Sequence, residues 1–178
     1  MTRLTPLVVL LLSIPALAND PFKKGTFELS LTANYDAPIR YSDEKLSSAT
    51  LAGGYYFADR WSVSLRATGF HIDQEADGGT GIGADLFLRW HFIATEDFSL
   101  FIDGGGGRQW HSVASPPGGT TYNWTGRGGL GATVRLADRL HLLAAARYFH
   151  YSNGHEHGAN KNPGHDGIEI SAGLMLQL

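Results

Sequence analysis

Alternation of apolar and polar residues with a period of two runs through eight segments of the chain, and it constrains the fold more than any other feature. The fourth segment is the clearest, because Ile82, Leu86 and Trp90 share one side while Asp85 and Arg89 share the other. Successive side chains of a β-strand point to opposite faces, so each segment is predicted to be a strand with one apolar face. The predicted strands are 25–35, 49–57, 61–72, 81–93, 98–110, 124–136, 140–152 and 168–178.

The connections between these segments alternate strictly between short and long. Three are short (58–60, 94–97 and 137–139), and four are long (36–48, 73–80, 111–123 and 153–167). A soluble lipocalin-like barrel would show similar residue alternation, but short turns at one rim and long loops at the other are typical of bacterial outer-membrane barrels. We therefore predict an all-β fold, an eight-stranded antiparallel transmembrane β-barrel. Side chains fill the interior of a barrel of this size, and its charges are expected to pair with one another.

The N-terminus reads as a secretory signal peptide over residues 1–18. A basic Arg3 precedes the apolar run 6–12, and Ala16-Leu17-Ala18 fits an Ala-x-Ala cleavage site. We predict cleavage after Ala18, which leaves residues 19–178 as the barrel domain in the bacterial outer membrane. The chain has no cysteine, and its net charge of −3 gives no sign of nucleic-acid binding.

A histidine and a serine stand two residues apart at the end of the seventh segment. His150 and Ser152 share the apolar side of that segment, whereas Arg147 takes the other side. The apolar side of a transmembrane barrel faces lipid, so both are predicted on the outer wall, at the rim that carries the long loops. A base beside a hydroxyl, with a carboxylate on the next strand, is the set needed for acyl transfer by an activated serine. The outward direction indicates a lipid substrate.

The same region resembles the lipid A 3-O-deacylase family of outer-membrane barrels. The resemblance is best from Phe98 to the C-terminus and is carried by residues 100–107, by Asn123-Trp124, by the stretch 147–154 and by the Asn-x-Gly-x-acid element 162–166. The N-terminal half matches only in architecture.

This resemblance implies a serine esterase that removes the ester-linked 3-hydroxyacyl chain from the 3-position of lipid A, without a metal or other cofactor. His150 corresponds to the general base and Ser152 to the nucleophile. Asn153 corresponds to a functionally important asparagine. Asn162 is similar to the oxyanion stabiliser, together with the backbone amides near Gly154 and His155, and such donors act where negative charge develops.

The acid of the triad has two candidates. Asp166 fits the Asn-x-Gly-x-acid spacing and shares outward parity with Ile168, whereas Glu169 fits a local Asp-Gly-Ile-Glu match but turns inwards under regular alternation. A bulge near Gly167 would reverse that assignment. The family usually carries glutamate here, and aspartate is one methylene shorter. We favour Asp166 and keep Glu169 open.

Two other interpretations compete with the esterase. His155, His157 and His165 lie in one loop with Glu156, and imidazole and carboxylate ligands suit zinc. Alternatively, the chain is a non-enzymatic structural or adhesion barrel. The expected partner in the esterase interpretation is lipid A, or the lipopolysaccharide that contains it, in the outer leaflet. The sequence leaves monomer and homodimer both open.

Overall fold

Eight antiparallel strands close into a single barrel in the computed structural model, which describes residues 21–40, 43–75 and 78–178. Each strand pairs with its neighbours in the sequence, and β1 pairs with β8 to complete the circle. The fold prediction is therefore confirmed. The predicted signal peptide, residues 1–18, lies outside the described residues. The strands are β1 Phe27–Arg40, β2 Lys45–Ala58, β3 Trp61–Asp73, β4 Gly79–Ala94, β5 Phe98–Ser115, β6 Thr120–Ala137, β7 Leu140–Ser152 and β8 His165–Gln177.

The strands are longer at one rim than the sequence analysis predicted. The tight turns at 59–60, 95–97 and 138–139 lie where they were expected. Of the predicted long loops, 111–123 is mostly strand, because β5 and β6 continue as a hairpin that turns through 116–119. The connections after β1 and β3 are shortened in the same way. The connection 153–164 after β7 remains a long loop, with one 3-10 turn at Ala159–Lys161.

The two faces of the wall differ as the alternation requires. Outward side chains are large and apolar, and Leu65 and Ile82 each keep 65% of their surface exposed. An apolar belt of this extent around a closed barrel is suited to lipid and not to water. The described residues include no helix that is long and apolar enough to cross a membrane.

The interior is held by paired charges, as predicted. The guanidinium of Arg147 donates to both carboxylate oxygens of Asp103, at 2.8 and 2.9 Å, and to Glu169 at 3.2 Å. Arg89 bridges Glu28 and the same Asp103 at 3.3 and 3.4 Å. Arg89 and Arg147 thus each have opposite charges in contact, which offsets the free-energy cost of removing them from water. The buried Arg66 lies instead over the Phe87 ring, 3.9 Å from its centroid.

Apolar clusters lie above and below this charged layer. At the short-turn end, Phe22 enters the barrel from the segment before β1 and stacks on His91 with a ring separation of 3.8 Å. At the long-loop end, Phe70, Phe149 and Tyr151 pack together. The barrel is therefore filled, and the chemistry of the histidine and serine at the rim belongs to its outer wall.

Candidate active site

The candidate site is formed where β6, β7 and β8 meet at the long-loop rim. The register of β7 and β8 places the Cα of His150 directly opposite that of Asp166. The register of β6 and β7 places Ser152 opposite Trp124. Because β7 and β8 are joined by one loop and pair directly, the base and an acid become neighbours across one pair of strands.

His150 is hydrogen-bonded to Asp166 on the outer wall. The His150 Nδ1 atom lies 2.7 Å from Asp166 Oδ1, and the Tyr148 hydroxyl donates to the same oxygen. The carboxylate is thus held between two outward side chains of β7. In the tautomer with the proton on Nδ1, this N–H donates to the carboxylate, and Nε2 is the ring nitrogen that can accept a proton. The His150 side chain is 41% exposed and that of Asp166 is 8% exposed.

Ser152 occupies the next outward position of β7 after His150 and is half-buried. Among the described residues its hydroxyl has no hydrogen-bond partner, so no contact with His150 is formed in this conformation. Residues two apart on a strand are about 6–7 Å apart along the chain, a gap that side-chain rotation of both groups can narrow. Catalytic hydrogen bonds are often long before substrate binds.

Glu169 does not reach His150. It points into the barrel, where it contacts Arg147 at 3.2 Å and Arg127 at 3.1 Å. The pairing of β7 with β8 runs without a register shift from Leu140 to Tyr151, so the bulge near Gly167 that would have turned Glu169 outwards is not present in this described strand pair. The structure thus brings Asp166 to the histidine and assigns Glu169 to the interior charge network.

The predicted oxyanion groups lie together in the loop after Ser152, but several are engaged with one another. The backbone N–H of Asn153 donates to Asn162 Oδ1 at 2.8 Å, and the N–H of His155 donates to Asn153 Oδ1 at 3.0 Å. The Asn162 amide nitrogen lies 3.3 Å from His155 Nδ1. The N–H of His155 is therefore occupied, whereas that of Gly154 donates to no other described residue.

Gly154 and His155 form the centre of a tight turn. Both have a φ of 65°, and the N–H of Glu156 donates to the carbonyl of Asn153 at 3.3 Å. Positive φ at both central residues is the type I′ arrangement. Glycine adopts it without strain, and the histidine is held there by the hydrogen bond of its own N–H to Asn153.

A carboxylate that the sequence analysis left without a role in the esterase site binds this loop to the outer wall. Glu156 accepts hydrogen bonds from Trp124 Nε1 at 3.0 Å, from the Tyr122 hydroxyl at 2.9 Å and from Arg108 at 2.9 Å. Arg108 also lies over the Trp124 ring, 4.0 Å from its centroid. The hydrogen bonds from Trp124 and Tyr122, with the charge of Arg108, lower the pKa of Glu156. Trp124 lies within a predicted strand, but Tyr122 falls in the predicted loop 111–123, and the path of the loop that carries Glu156 was not readable from the sequence.

The loop histidines are separated in space. His165 lies inside the barrel, where its Nε2 is 2.6 Å from Asp36, while His157 contacts the Tyr122 hydroxyl at 2.8 Å on the outside. The described residues contain no group of three metal-ligating side chains that could hold a metal ion. The histidines that the zinc interpretation names therefore do not form a ligand set among the described residues.

The fold and the site together define a β-barrel of outer-membrane type that carries a serine, a histidine and an aspartate side by side on its lipid-facing wall. Residues 29–175 match the sequence model of the lipid A 3-O-deacylase (PagL) family. The chain belongs to that family.

Solved structures agree with the fold. The outer-membrane enzyme PagL is 16% identical, with a TM-score of 0.60, and the match covers 83% of this chain and 98% of that one. Neisserial surface protein A is 12% identical, with a TM-score of 0.63 and coverage of 85% and 95%. The N-terminal barrel domain of Pseudomonas aeruginosa OprF is 14% identical, with a TM-score of 0.58 and coverage of 87% and 98%. A sequence comparison with curated proteins finds no significant match.

Proposed function

We propose that this protein is an outer-membrane serine esterase that removes the ester-linked 3-hydroxyacyl chain from the 3-position of lipid A. The observation that carries the proposal is the contact of His150 with Asp166, 2.7 Å, beside an outward Ser152. Family membership supplies the substrate class, and the outward direction of the three groups suits a substrate that lies in the membrane.

In the proposed reaction Ser152 Oγ attacks the ester carbonyl while His150 Nε2 takes the hydroxyl proton. Asp166 holds Nδ1–H and stabilises the imidazolium that forms. The bond between the acyl carbon and the 3-oxygen of the sugar then breaks, and the imidazolium returns the proton to that leaving 3-oxygen of lipid A. Water, activated by the same histidine, hydrolyses the acyl-serine and releases the fatty acid.

The developing oxyanion needs donors near Ser152. The N–H of Gly154, which is not used by the loop itself, is the first candidate, and the side-chain amide of Asn162 is the second. In this proposal Asn153 has a positioning role, because its side chain bonds the His155 amide and the carbonyl of Lys161 and so fixes the turn. Preorganised donors of this kind typically contribute about 10²–10³ in rate.

A strip of the outer wall without side chains supports an acyl-chain substrate. Gly126 lies opposite His150 in the register, and Gly128 lies opposite Gly104. A Cβ added at Gly126 would meet no atom within 4 Å, so this wall is open beside the histidine. An extended acyl chain could lie along the strip towards the centre of the membrane while its ester group stays at Ser152.

Mass spectrometry of lipid A from cells with and without the protein tests the proposal. Wild type is expected to remove one 3-hydroxyacyl chain, and Ser152→Ala or His150→Ala to remove none, since loss of either partner typically costs on the order of 10⁶ in rate. Ser47→Ala is a matched control, because Ser47 is an exposed serine on β2, a strand that pairs with none of β6, β7 and β8. Unmodified lipid A with wild type would favour the non-enzymatic structural or adhesion barrel.

A further inference from the structure

The side chain of Glu156 joins the loop to the barrel wall through three donors on two different strands. Arg108 belongs to β5, and Tyr122 and Trp124 belong to β6. The three donor atoms lie 2.9–3.0 Å from the carboxylate oxygens. Glu156 is neither a member of the proposed triad nor one of the proposed oxyanion donors.

Glu156 is also the last residue of the turn that presents the Gly154 amide. Its N–H closes the turn on the carbonyl of Asn153, so the turn and the carboxylate are linked through a single residue. On the other side, Gly154 lies against the Trp124 ring, since a Cβ built on it would be 3.5 Å from Trp124 Cδ1. Trp124 in turn lies opposite Ser152 in the register. The Gly154 amide is thus located relative to Ser152 by contacts that converge on Glu156 and Trp124.

We propose that Glu156 is a positioning residue for the deacylation, which pins the Asn153–Glu156 turn to the outer wall and so aims the Gly154 amide at the oxyanion. This inference rests on the proposed function. Two central residues at φ 65° make the turn a conformation that few sequences hold without support. Without the carboxylate, the turn keeps its internal hydrogen bonds but loses the three that Glu156 accepts from Arg108, Tyr122 and Trp124, while the contact of the Tyr122 hydroxyl with His157 remains.

The test is steady-state hydrolysis of lipid A in mixed detergent micelles, with kcat and KM measured separately. Glu156→Ala is expected to lower kcat by about 10²-fold, the effect of losing one oxyanion donor, while KM changes little. Glu156→Gln should give a smaller loss, because the amide oxygen can still accept from Trp124 or Tyr122. Asp97→Ala is the matched control: it removes an exposed carboxylate paired with Arg135 at 2.7 Å at the opposite rim, and its kcat should equal that of wild type.

A double-mutant cycle distinguishes the positioning role of Glu156 from a general effect on folding. Tyr122→Phe removes one donor to Glu156 and also the contact of the Tyr122 hydroxyl with His157, so the cycle is measured in a His157→Ala background. There Tyr122→Phe should lower kcat when Glu156 is present but not further when Glu156 is replaced by alanine. Additive losses, or a Glu156→Ala enzyme with wild-type kcat, would overturn the positioning role and leave the esterase intact. An inactive wild type would instead refute both the proposed esterase activity and the positioning role of Glu156. Heat-dependent mobility in gel electrophoresis reports that each variant has folded into a barrel.

Discussion

Exchange of the two candidate acids for their amides, one at a time, is the most discriminating perturbation of this site. Asp166→Asn removes the carboxylate that lies 2.7 Å from His150 Nδ1, while Glu169→Gln alters an interior group that contacts only the barrel network. In both substitutions the amide has nearly the same size and shape as the carboxylate that it replaces. The two variants therefore separate the orientation of the histidine from the stability of the barrel.

The expected loss for Asp166→Asn follows from the tautomer of His150. If the amide turns its NH₂ towards Nδ1, the ring proton moves to Nε2, and the imidazole can no longer accept the proton of Ser152. In serine proteases the equivalent change lowers kcat on the order of 10⁴-fold, which corresponds to about 5 kcal/mol. Because the His150 side chain is 41% exposed, water screens part of this interaction, and we expect a loss between about 10² and 10⁴.

Glu169→Gln should change stability and leave catalysis close to wild type. Arg147 keeps both hydrogen bonds to Asp103 and one to Ser171, and Arg127 keeps Asp85 at 2.9 Å. Loss of the negative charge then weakens two charge-assisted hydrogen bonds, at a cost of about 1–3 kcal/mol in unfolding free energy. The assays are lipid A hydrolysis for kcat and urea unfolding in detergent for stability. A catalytic defect in Glu169→Gln combined with an active Asp166→Asn would refute the assignment of the acid.

Two further predictions concern the wall beside the histidine and the loop above it. Gly126→Leu should fold normally, because the added side chain points into open space, yet it should lower kcat/KM about tenfold or more by filling the glycine strip proposed to hold the acyl chain. Gly69→Leu, at an equally open outward glycine of β3, is the control. Equal activity of the two variants would contradict the proposal that the acyl chain lies along this strip. Because the pKa of Glu156 is lowered, the ionised carboxylate stabilises the loop fully at any pH above the range in which an ordinary glutamate titrates. That stabilisation is lost as the pH falls through the lowered pKa. Fluorescence of Trp124 should change in that acidic range in wild type and not in Glu156→Gln.

The sequence was sufficient to predict the barrel and the direction of its side chains, because period-2 alternation determines both at once. His150 and Ser152 face outwards and Arg147 faces inwards for this reason. Strand ends were less predictable. The hairpin of β5 and β6 continues to Ser115 and Thr120 through a stretch rich in serine, proline and glycine, where apolar alternation no longer marks a strand.

The loop after β7 was beyond sequence reasoning. Its path depends on the hydrogen bonds that Glu156 accepts from the outer wall, and the donors of those bonds lie 32 to 48 residues earlier in the chain. The same holds for Phe22, whose burial against His91 depends on the closed barrel offering a cavity at that end. Contacts of this kind carry no local pattern, since each partner alone looks like an ordinary exposed or apolar residue.

The assignment of the acid depends on the regularity of one strand. Asp166 and Glu169 are three residues apart, an odd spacing, so a regular strand must place them on opposite faces, and one inserted residue between them would place both on the same face. In the structure the irregularity falls instead on β1, between Pro38 and Arg40, and β8 stays in register with β7. Gly167 allows this close fit, because an added Cβ would come within 2.2 Å of the Asp36 carboxylate. The interior packing of Asp36 against Gly167 therefore helps to decide which carboxylate faces the histidine outside.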